Sequence, residues 1–299
     1  VDRLHGMKTF VTVVESGGFT AAARKLDVSL SVVSRVITEL EAHLGVRLLT
    51  RTTRVVRPTE TGTAYFENCK RILDEIEEAE LTAAGTHAAP RGDLVVTAPV
   101  LFGARHVTPI VVEYLQRYPE VDVQSLFLDR NVNLINEGVD VGVRIGELPS
   151  SSLQAIPVGR VRRVVCASPS YLQEHGTPRT PADLLSHTLI QTTAVNALAE
   201  WRFQEEGETR PLRFTPRFAT STNDSAIAAA VAGLGLARVL SYQVAGELWD
   251  GKLRVVLADY EQPTLPIHVI HREGRHAMQK VRAFLDLAID RLRGDKSLN

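Results

Sequence analysis

The stretch from Phe19 to Arg57 constrains the fold more than any other, because it sets two short helical patterns, a tight turn and a basic hairpin in immediate succession. Phe19, Ala22, Ala23 and Leu26 stand at i, i+3, i+4 and i+7, one apolar face whose two alanines let another helix cross close by. Asp27-Val28-Ser29 makes the turn, with Ser29 placed to cap the next helix. That second helix is expected to bury Val33, Val36 or Ile37, Leu40 and Leu44, and Gly45 ends it as a C-cap glycine. Leu30, Ser31, Ser34, Arg35 and Thr38 then point the other way. The set suits a major groove: Arg can make a bidentate contact to guanine, Ser and Thr can bond base edges or phosphates, and Leu30 or Val32 can touch thymine methyls. From Val46 to Pro58 the chain carries Arg47, Arg51, Arg54 and Arg57 with Thr50, Thr52 and Thr53 between them, a β-prone wing suited to gripping phosphates rather than reading bases. Each residue alone is equally well explained as a solvated surface group. Their order points to a winged helix-turn-helix whose partner is double-stranded DNA.

Charge supports that division of labour. The balance over the 299 residues is only −1, yet residues 1–58 hold nine Lys and Arg against five Asp and Glu, net +4, which leaves −5 for the remainder. Only the N-terminal part is built for nucleic acid. The length predicts about two domains, with a hydrophobic share of 44% sufficient for real cores. Cys69 and Cys166 lie in apolar surroundings without CxxC or zinc spacing, which reads as two reduced structural thiols, and no apolar run is long enough to span a bilayer, so a cytoplasmic protein without membrane contact is expected.

A helix from Leu4 to Ser16, carrying Met7, Phe10, Val11 and Val14, should pack behind the helix pair and end at Gly17-Gly18. From Thr59 the pattern changes: Tyr65, Cys69, Ile72, Ile76, Ala79 and Ala83 alternate spacings of four and three, an a/d seam that predicts one helix of roughly 40 Å. Alone such a helix is marginal, so the seam predicts pairing with a second copy, the alternative being a helix laid on its own domain. Thr86 to Arg91 with Pro90 reads as a hinge.

Beyond it, strand-like and helix-like pieces alternate, the pattern of a layered α/β domain with a mostly parallel sheet. Strands are expected at Leu94–Ala98, Val121–Leu128, Val139–Arg144, Arg160–Ala167 (crossing into a second lobe), near Leu189, at Arg213–Ala219, Leu234–Ala237, Leu253–Leu257 and Ile267–Ile270. Helices are expected at Gly103–Tyr118, Leu134–Gly138, Tyr171–His175, Asp224–Ala232, Ser241–Trp249 and Met278–Leu292.

Open α/β sheets bind ligands outside the carboxyl ends of their strands. Three segments would meet there: Ala98 to Phe102, whose backbone N–H groups could receive an anion, Arg144 at a strand end, and Ser221-Thr222-Asn223-Asp224 before a helix. They suit a small carboxylate or aromatic molecule. Equally available to the residues singly are plainer roles: Thr222 or Asn223 as a helix cap, Phe102 as core, and Arg144 paired with Glu147 or Asp140.

A family likeness covers nearly the whole chain. The run Ser16-Gly17-Gly18-Phe19-Thr20-Ala21-Ala22-Ala23, then Leu26 with Val28-Ser29, Val33-Ser34-Arg35, Leu40-Glu41, Leu44-Gly45, Arg47-Leu48-Leu49, Arg51-Thr52-Thr53-Arg54 and Thr59-Glu60-Thr61-Gly62, resembles the LysR-type bacterial transcriptional regulators. Tyr118-Pro119, Glu137-Gly138-Val139-Asp140, Pro181-Ala182-Asp183-Leu184 and Gly233-Leu234-Gly235-Leu236-Ala237 agree. The resemblance implies an α+β protein overall: an N-terminal winged helix-turn-helix (1–58), a linker dimerisation helix with its hinge (59–89), and a two-lobed α/β effector domain resembling a periplasmic binding protein (90–299). One lobe would take 90–161 and 268–299, the other 162–267. It also implies a dimer through the linker helix that assembles into a tetramer on promoter DNA, with RNA polymerase as a candidate partner and no cofactor or metal. Carried over by position, DNA contact falls on Ser31, Val32, Ser34, Arg35 and Thr38, with Arg51 and Arg54 in the wing. Effector contact falls on Val100, Leu101, Phe102, Arg144, Gly146, Thr192, Thr193, Thr222 and Asn223. Two departures stand out: Leu30, where the family more often has a polar residue or Pro, and Leu240-Ser241, where many members have Pro.

Two other functions remain open to the residues. An enzyme would need a motif, and GxSxG, a Walker loop and HExxH are all missing, while Gly233-Leu234-Gly235 lacks the rest of a dinucleotide fingerprint. His268 and His271 in one strand fall on opposite faces, against a shared metal. An architectural DNA-binding protein without an effector would not need an α/β domain of some two hundred residues that carries net negative charge.

Overall fold

The computed structural model describes residues 2–51, 56–83, 89–148, 153–192, 199–272 and 278–298, without the side chains of Arg51, Glu78 and residues 81–83. Residues 1–92 with 278–280 make one compact unit, and 93–277 with 281–299 the other.

The first unit begins with α1 (Arg3–Glu15), whose Asp2 carboxylate accepts from the Leu4 and His5 N–H groups. Next come α2 (Phe19–Lys25) and α3 (Leu30–Leu44). Ser29 caps α3 by accepting from the Val32 N–H, and Gly45 ends it in the left-handed region at φ 69°. Their shared core holds Phe10, Val13, Ala22, Ala23, Val33, Ile37 and Leu40. Leu44 corrects the expectation: it is exposed, because the chain turns at Gly45 and Leu48, wholly buried, fills the core in its place. A hairpin follows, β1 (Leu49–Arg51) against β2 (Val56–Pro58), its base fixed by Glu41, whose carboxylate accepts from the N–H groups of Leu48 and Leu49. Thr52, Thr53 and Arg54 lie outside the described residues.

Helix α4 (Glu60–Ala83) opens on Thr59, which accepts from the Gly62 N–H and donates to the Arg47 carbonyl. A Cβ at position 62 would fall 1.9 Å from the Leu48 carbonyl oxygen, so glycine is required for this helix to meet the wing. The seam assigned to a second copy needs one correction. Cys69 is fully buried in the core of its own unit, against which Tyr65 and Leu73 also pack, so the first turns of α4 face inward to the helix-turn-helix. Ile72 and Ile76 are half-buried and Ala79 is exposed.

The second unit holds two five-stranded sheets. The first, ordered β4-β3-β5-β14-β6, takes β3 (Gly92–Ala98), β4 (Val121–Phe127), β5 (Val141–Ile145) and β6 (Gln154–Val161), then β14 (Leu265–His271) late in the chain. Between β3 and β4 run α5 (Val100–Phe102), a π-helical turn (Gly103–Val107) and α6 (Thr108–Arg117). The second sheet, ordered β11-β8-β12-β7-β13, follows. The chain there runs through β7 (Arg163–Ala167), α7 (Pro169–His175), β8 (Leu189–Thr192), a separate two-stranded hairpin of β9 (Glu200–Glu205) and β10 (Glu208–Arg213), then β11 (Phe218–Thr220), α8 (Asn223–Val231), β12 (Leu236–Leu240), α9 (Ala245–Trp249) and β13 (Arg254–Val256). Finally α10 (Gln279–Gly294) closes the chain, with Val281, Phe284 and Leu285 buried.

The sheets are mixed rather than mostly parallel: β14 runs antiparallel to both β5 and β6, and β7 antiparallel to β12 and β13. Return strands between sheets cause this, since a chain that leaves one sheet and comes back fills positions no crossover helix serves. The expected strand 160–167 is two strands that part at Arg162, which is held to the return segment by a salt bridge to Glu261 at 3.2 Å. Residues 134–138 are a hydrogen-bonded turn, not a helix, because the Asn133 side chain accepts from the Ile135 and Asn136 N–H groups. The expected strand 213–219 divides into the last residue of β10 and the first two of β11, and 241–249 into a 3-10 turn followed by α9.

Candidate functional sites

The outward face of α3 is an exposed, polar helix surface. Ser31, Arg35 and Thr38 are exposed, Val32 and Ser34 half-buried, and Leu30 is 50% exposed at the start of the helix. The Arg35 side chain is 70% exposed, and its nearest acid is Glu39 at 3.9 Å, one turn on. Such a pair is worth only tenths of a kcal/mol, so the guanidinium is free to exchange Glu39 for an acceptor on a base. Beside it, Arg47 and Arg57 are exposed around the hairpin.

The expected ligand residues of the second unit divide into two groups. In the first sheet they are already engaged. The Val100 N–H, a proposed anion donor, gives its hydrogen to Asp129 Oδ1 at 3.0 Å. Phe102 is fully buried among the rings of His106 and Tyr242 and is core, not cleft wall, and Leu101 is buried as well. Arg144 pairs with neither Glu147 nor Asp140; it donates to the Val132 and Val143 carbonyls, while Asp140 accepts from the Val95 N–H. Gly146 follows with φ 114°.

In the second sheet the residues are open. Thr222 is the helix cap, accepting from the Ser225 N–H, but Thr192 and Asn223 line a cavity of about 330 Å³ together with Arg163, Gln191, Glu200, Trp201, Arg238, Leu240 and Gln243. Thr193 lies outside the described residues. Topology produces this meeting: β8, β11 and β12 are parallel and end at one edge, α8 starts there after β11, and antiparallel β7 begins there because Arg163 pairs with Leu240. A carboxyl-edge crevice of this kind is where open sheets place ligands. Trp201 is held by its indole N–H donating to Gln191 Oε1 at 2.7 Å.

The two arginines are the site's most loaded groups, and neither stood among the sequence candidates. Arg238 donates to the Arg202 carbonyl and to Gln262 Oε1, and stacks over the Phe203 ring at 5.4 Å. Burial first, and then the Arg163 and Arg202 cations, pull its guanidinium down to about 9. Burial likewise lowers Arg163. Their signal in the sequence was slight, since a strand-end arginine and an arginine inside β12 share no spacing. Elsewhere among the described residues no group of His, Cys, Asp and Glu could hold a metal ion.

Comparison with known proteins decides the family. Residues 4–63 match the bacterial regulatory helix-turn-helix protein family, lysR type, and residues 87–293 match the LysR substrate binding domain. The chain belongs to the LysR family of transcriptional regulators. This LysR-type regulator is 33% identical over 287 residues to CrgA of Neisseria meningitidis serogroup C, 96% of each chain being covered. The solved CrgA structure superposes with TM-score 0.63 at 32% identity, covering 97% of this chain and 99% of that one. Full-length AphB, a virulence activator of Vibrio cholerae, gives 0.63 at 27% identity over 96% and 98%. The transcriptional activator AaeR of Escherichia coli K12 is 31% identical over 290 residues, 97% of this chain and 94% of its own. The LysR-type regulator is thus a DNA-binding transcriptional regulator with an effector-binding domain, not an enzyme, and no helix among its described residues is long and apolar enough to cross a membrane.

Proposed function

We propose that the regulator reads promoter DNA through Ser31, Val32, Ser34, Arg35 and Thr38, grips phosphates with Arg51 and Arg54, and answers to a small carboxylate or aromatic effector held by Thr192 and Asn223. Ile72, Ile76, Ala79 and Ala83 then form the seam with a second copy, and pairs of dimers make a tetramer in the cytoplasm that can meet RNA polymerase. The observation that carries the sensing half is the second-sheet cavity, where Thr192 and Asn223 make no side-chain hydrogen bond among the described residues and stand open beside two cations. Effector binding there would draw the two sheets together about the strands that part at Arg162, altering how dimers pack and the angle between DNA-reading heads. By linkage, DNA must then bias effector affinity by the same factor.

The test is binding to the DNA flanking the regulator's own gene, against random DNA, over a salt series. Preference for the flanking DNA with a footprint of two or more helical turns is expected; equal binding to both at every salt, with and without small carboxylates, would refute sequence-specific regulation at that site.

A further inference from the structure

The Arg163 side chain makes no hydrogen bond or ion pair among the described residues, although it is half-buried and faces a second half-buried guanidinium, that of Arg238, one strand over. The one carboxylate among the described residues lining the cavity is occupied elsewhere: Glu200 accepts from Arg202 Nε at 3.0 Å and from Arg213 Nε at 3.3 Å. Arginine does not escape such a position by losing its proton under ordinary conditions. Two like charges therefore stand together in a walled crevice, an arrangement that costs stability unless something negative enters.

We propose that this cavity is built for a small dianion, one charge for each guanidinium. The proposal rests on the effector reading above and narrows it to a chemical class, a dicarboxylate or a phosphate. Each guanidinium presents a planar fork that matches two oxygens of a carboxylate or phosphate. Arg238 is fixed in advance by Gln262, the Arg202 carbonyl and Phe203, so it orients the first anionic group. Arg163 has no such anchor and takes the second. Asn223 and Thr192 supply the neutral donors between them, and the Trp201 body closes one wall. A monoanion would neutralise one guanidinium and leave the other unmatched, whereas a dianion removes the repulsion entirely. Selectivity for charge number thus follows from the pairing of cations, not from cavity size.

The test is thermal unfolding of the full chain with succinate, inorganic phosphate, butyrate or chloride at equal ionic strength, with titration calorimetry on any anion that stabilises. Stabilisation by succinate or phosphate well above butyrate and chloride is expected, and which of the two binds more tightly names the source of the charge. Arg163→Gln should melt no lower than the parent without anions, having lost an unmatched charge, and should bind the dianion about 30-fold or more weakly. Arg163→Lys, which keeps the charge and loses the fork, should also bind more weakly and serves if the glutamine variant fails to fold; Arg254→Gln, at an exposed strand position, should change nothing. Butyrate stabilising as well as succinate, or dianion binding that survives both Arg163 variants, would overturn the proposal. If butyrate stabilises and Asn223→Ala abolishes it, the effector pocket stands and the two-charge reading alone falls. No stabilisation by either dianion also overturns it.

Discussion

The outer face of α3 and the crevice at the edge of the second sheet, the two places proposed above to meet negative charge, are built in opposite ways. Arg35 stands in water on a single helix, 70% exposed, its neighbours supplied by residues three and four positions away. Arg163 and Arg238 stand half-buried, brought together by strands 75 residues apart in the chain, and they repel each other. A DNA backbone is a dense, long-range charge that an exposed cation can find and leave quickly, so screening by salt is part of its use. A small effector offers one or two charges only, and discrimination requires that the cations wait where water cannot satisfy them well. The lesson is that exposure suits reading a polymer, and burial suits choosing a molecule.

The largest effect should come from separating the two regions. Gly62→Ala would push a Cβ onto the Leu48 carbonyl and is expected to cost the N-terminal unit about 3 kcal/mol. In urea melts followed by separate probes, that unit should unfold earlier while the second keeps its midpoint; a common shift of both would show that the two regions are one cooperative body. Next comes the reading face itself. Arg35→Ala is expected to lose about 1–3 kcal/mol of discrimination between operator and random DNA, whereas Arg57→Ala should weaken both alike and flatten the salt slope by about one unit. Equal losses on both DNAs for Arg35→Ala would make α3 a mere phosphate grip and erase the contrast with the crevice. On the other side, Thr222→Ala removes the cap of α8 and should cost about 1 kcal/mol, weakening effector binding through Asn223 while leaving DNA affinity without effector unchanged.

The smallest effect is electrostatic. His106 is held below its usual 6.5 by burial, which outweighs the attraction of Asp295 at 2.9 Å. A histidine that prefers to be neutral when folded gives its full stability above its ordinary value, and loses it as pH falls beneath about 6.5. The second unit should therefore show a flat midpoint above neutrality and a decline below it, at most about 1.4 kcal/mol per pH unit for this one proton. His106→Gln should flatten that decline, and an unchanged slope would place the acid sensitivity elsewhere.

The contrast also explains how much could be read from the chain alone. The α3 face was legible because a helix fixes the neighbours of Arg35 at i±3 and i±4, and Ser29 and Gly45 mark both its ends. Most element positions in the second unit were legible for the same local reason. Strand partners were not: nothing local tells β14 to run antiparallel between β5 and β6, and so the sheets were expected to be mostly parallel. The β9–β10 hairpin was missed although Glu206 and Gly207 carry its signal, both adopting positive φ in the turn. At the proposed site, Asn223 was expected both from its place before a helix at the strand ends and from family position, and Thr192 from family position alone; Arg163 and Arg238 were not among the expected residues, and Phe102 was misplaced because an aromatic residue at a strand end serves a core and a cleft equally well by pattern.

The burial of Cys69 beneath the helix-turn-helix carries a further consequence. The opening turns of α4 are not a tether but the stem of the head, so twist applied along the helix arrives at Ser31 and Arg35 as rotation of the whole reading surface. One residue inserted beyond Leu73 would rotate the stem by about 100° and advance it about 1.5 Å, while a seven-residue insertion would nearly restore the original phase. If α4 pairs with a second copy as proposed above, the spacing of half-sites the dimer accepts would be geared to the count of residues in this helix, as a worm drive is geared to its pitch.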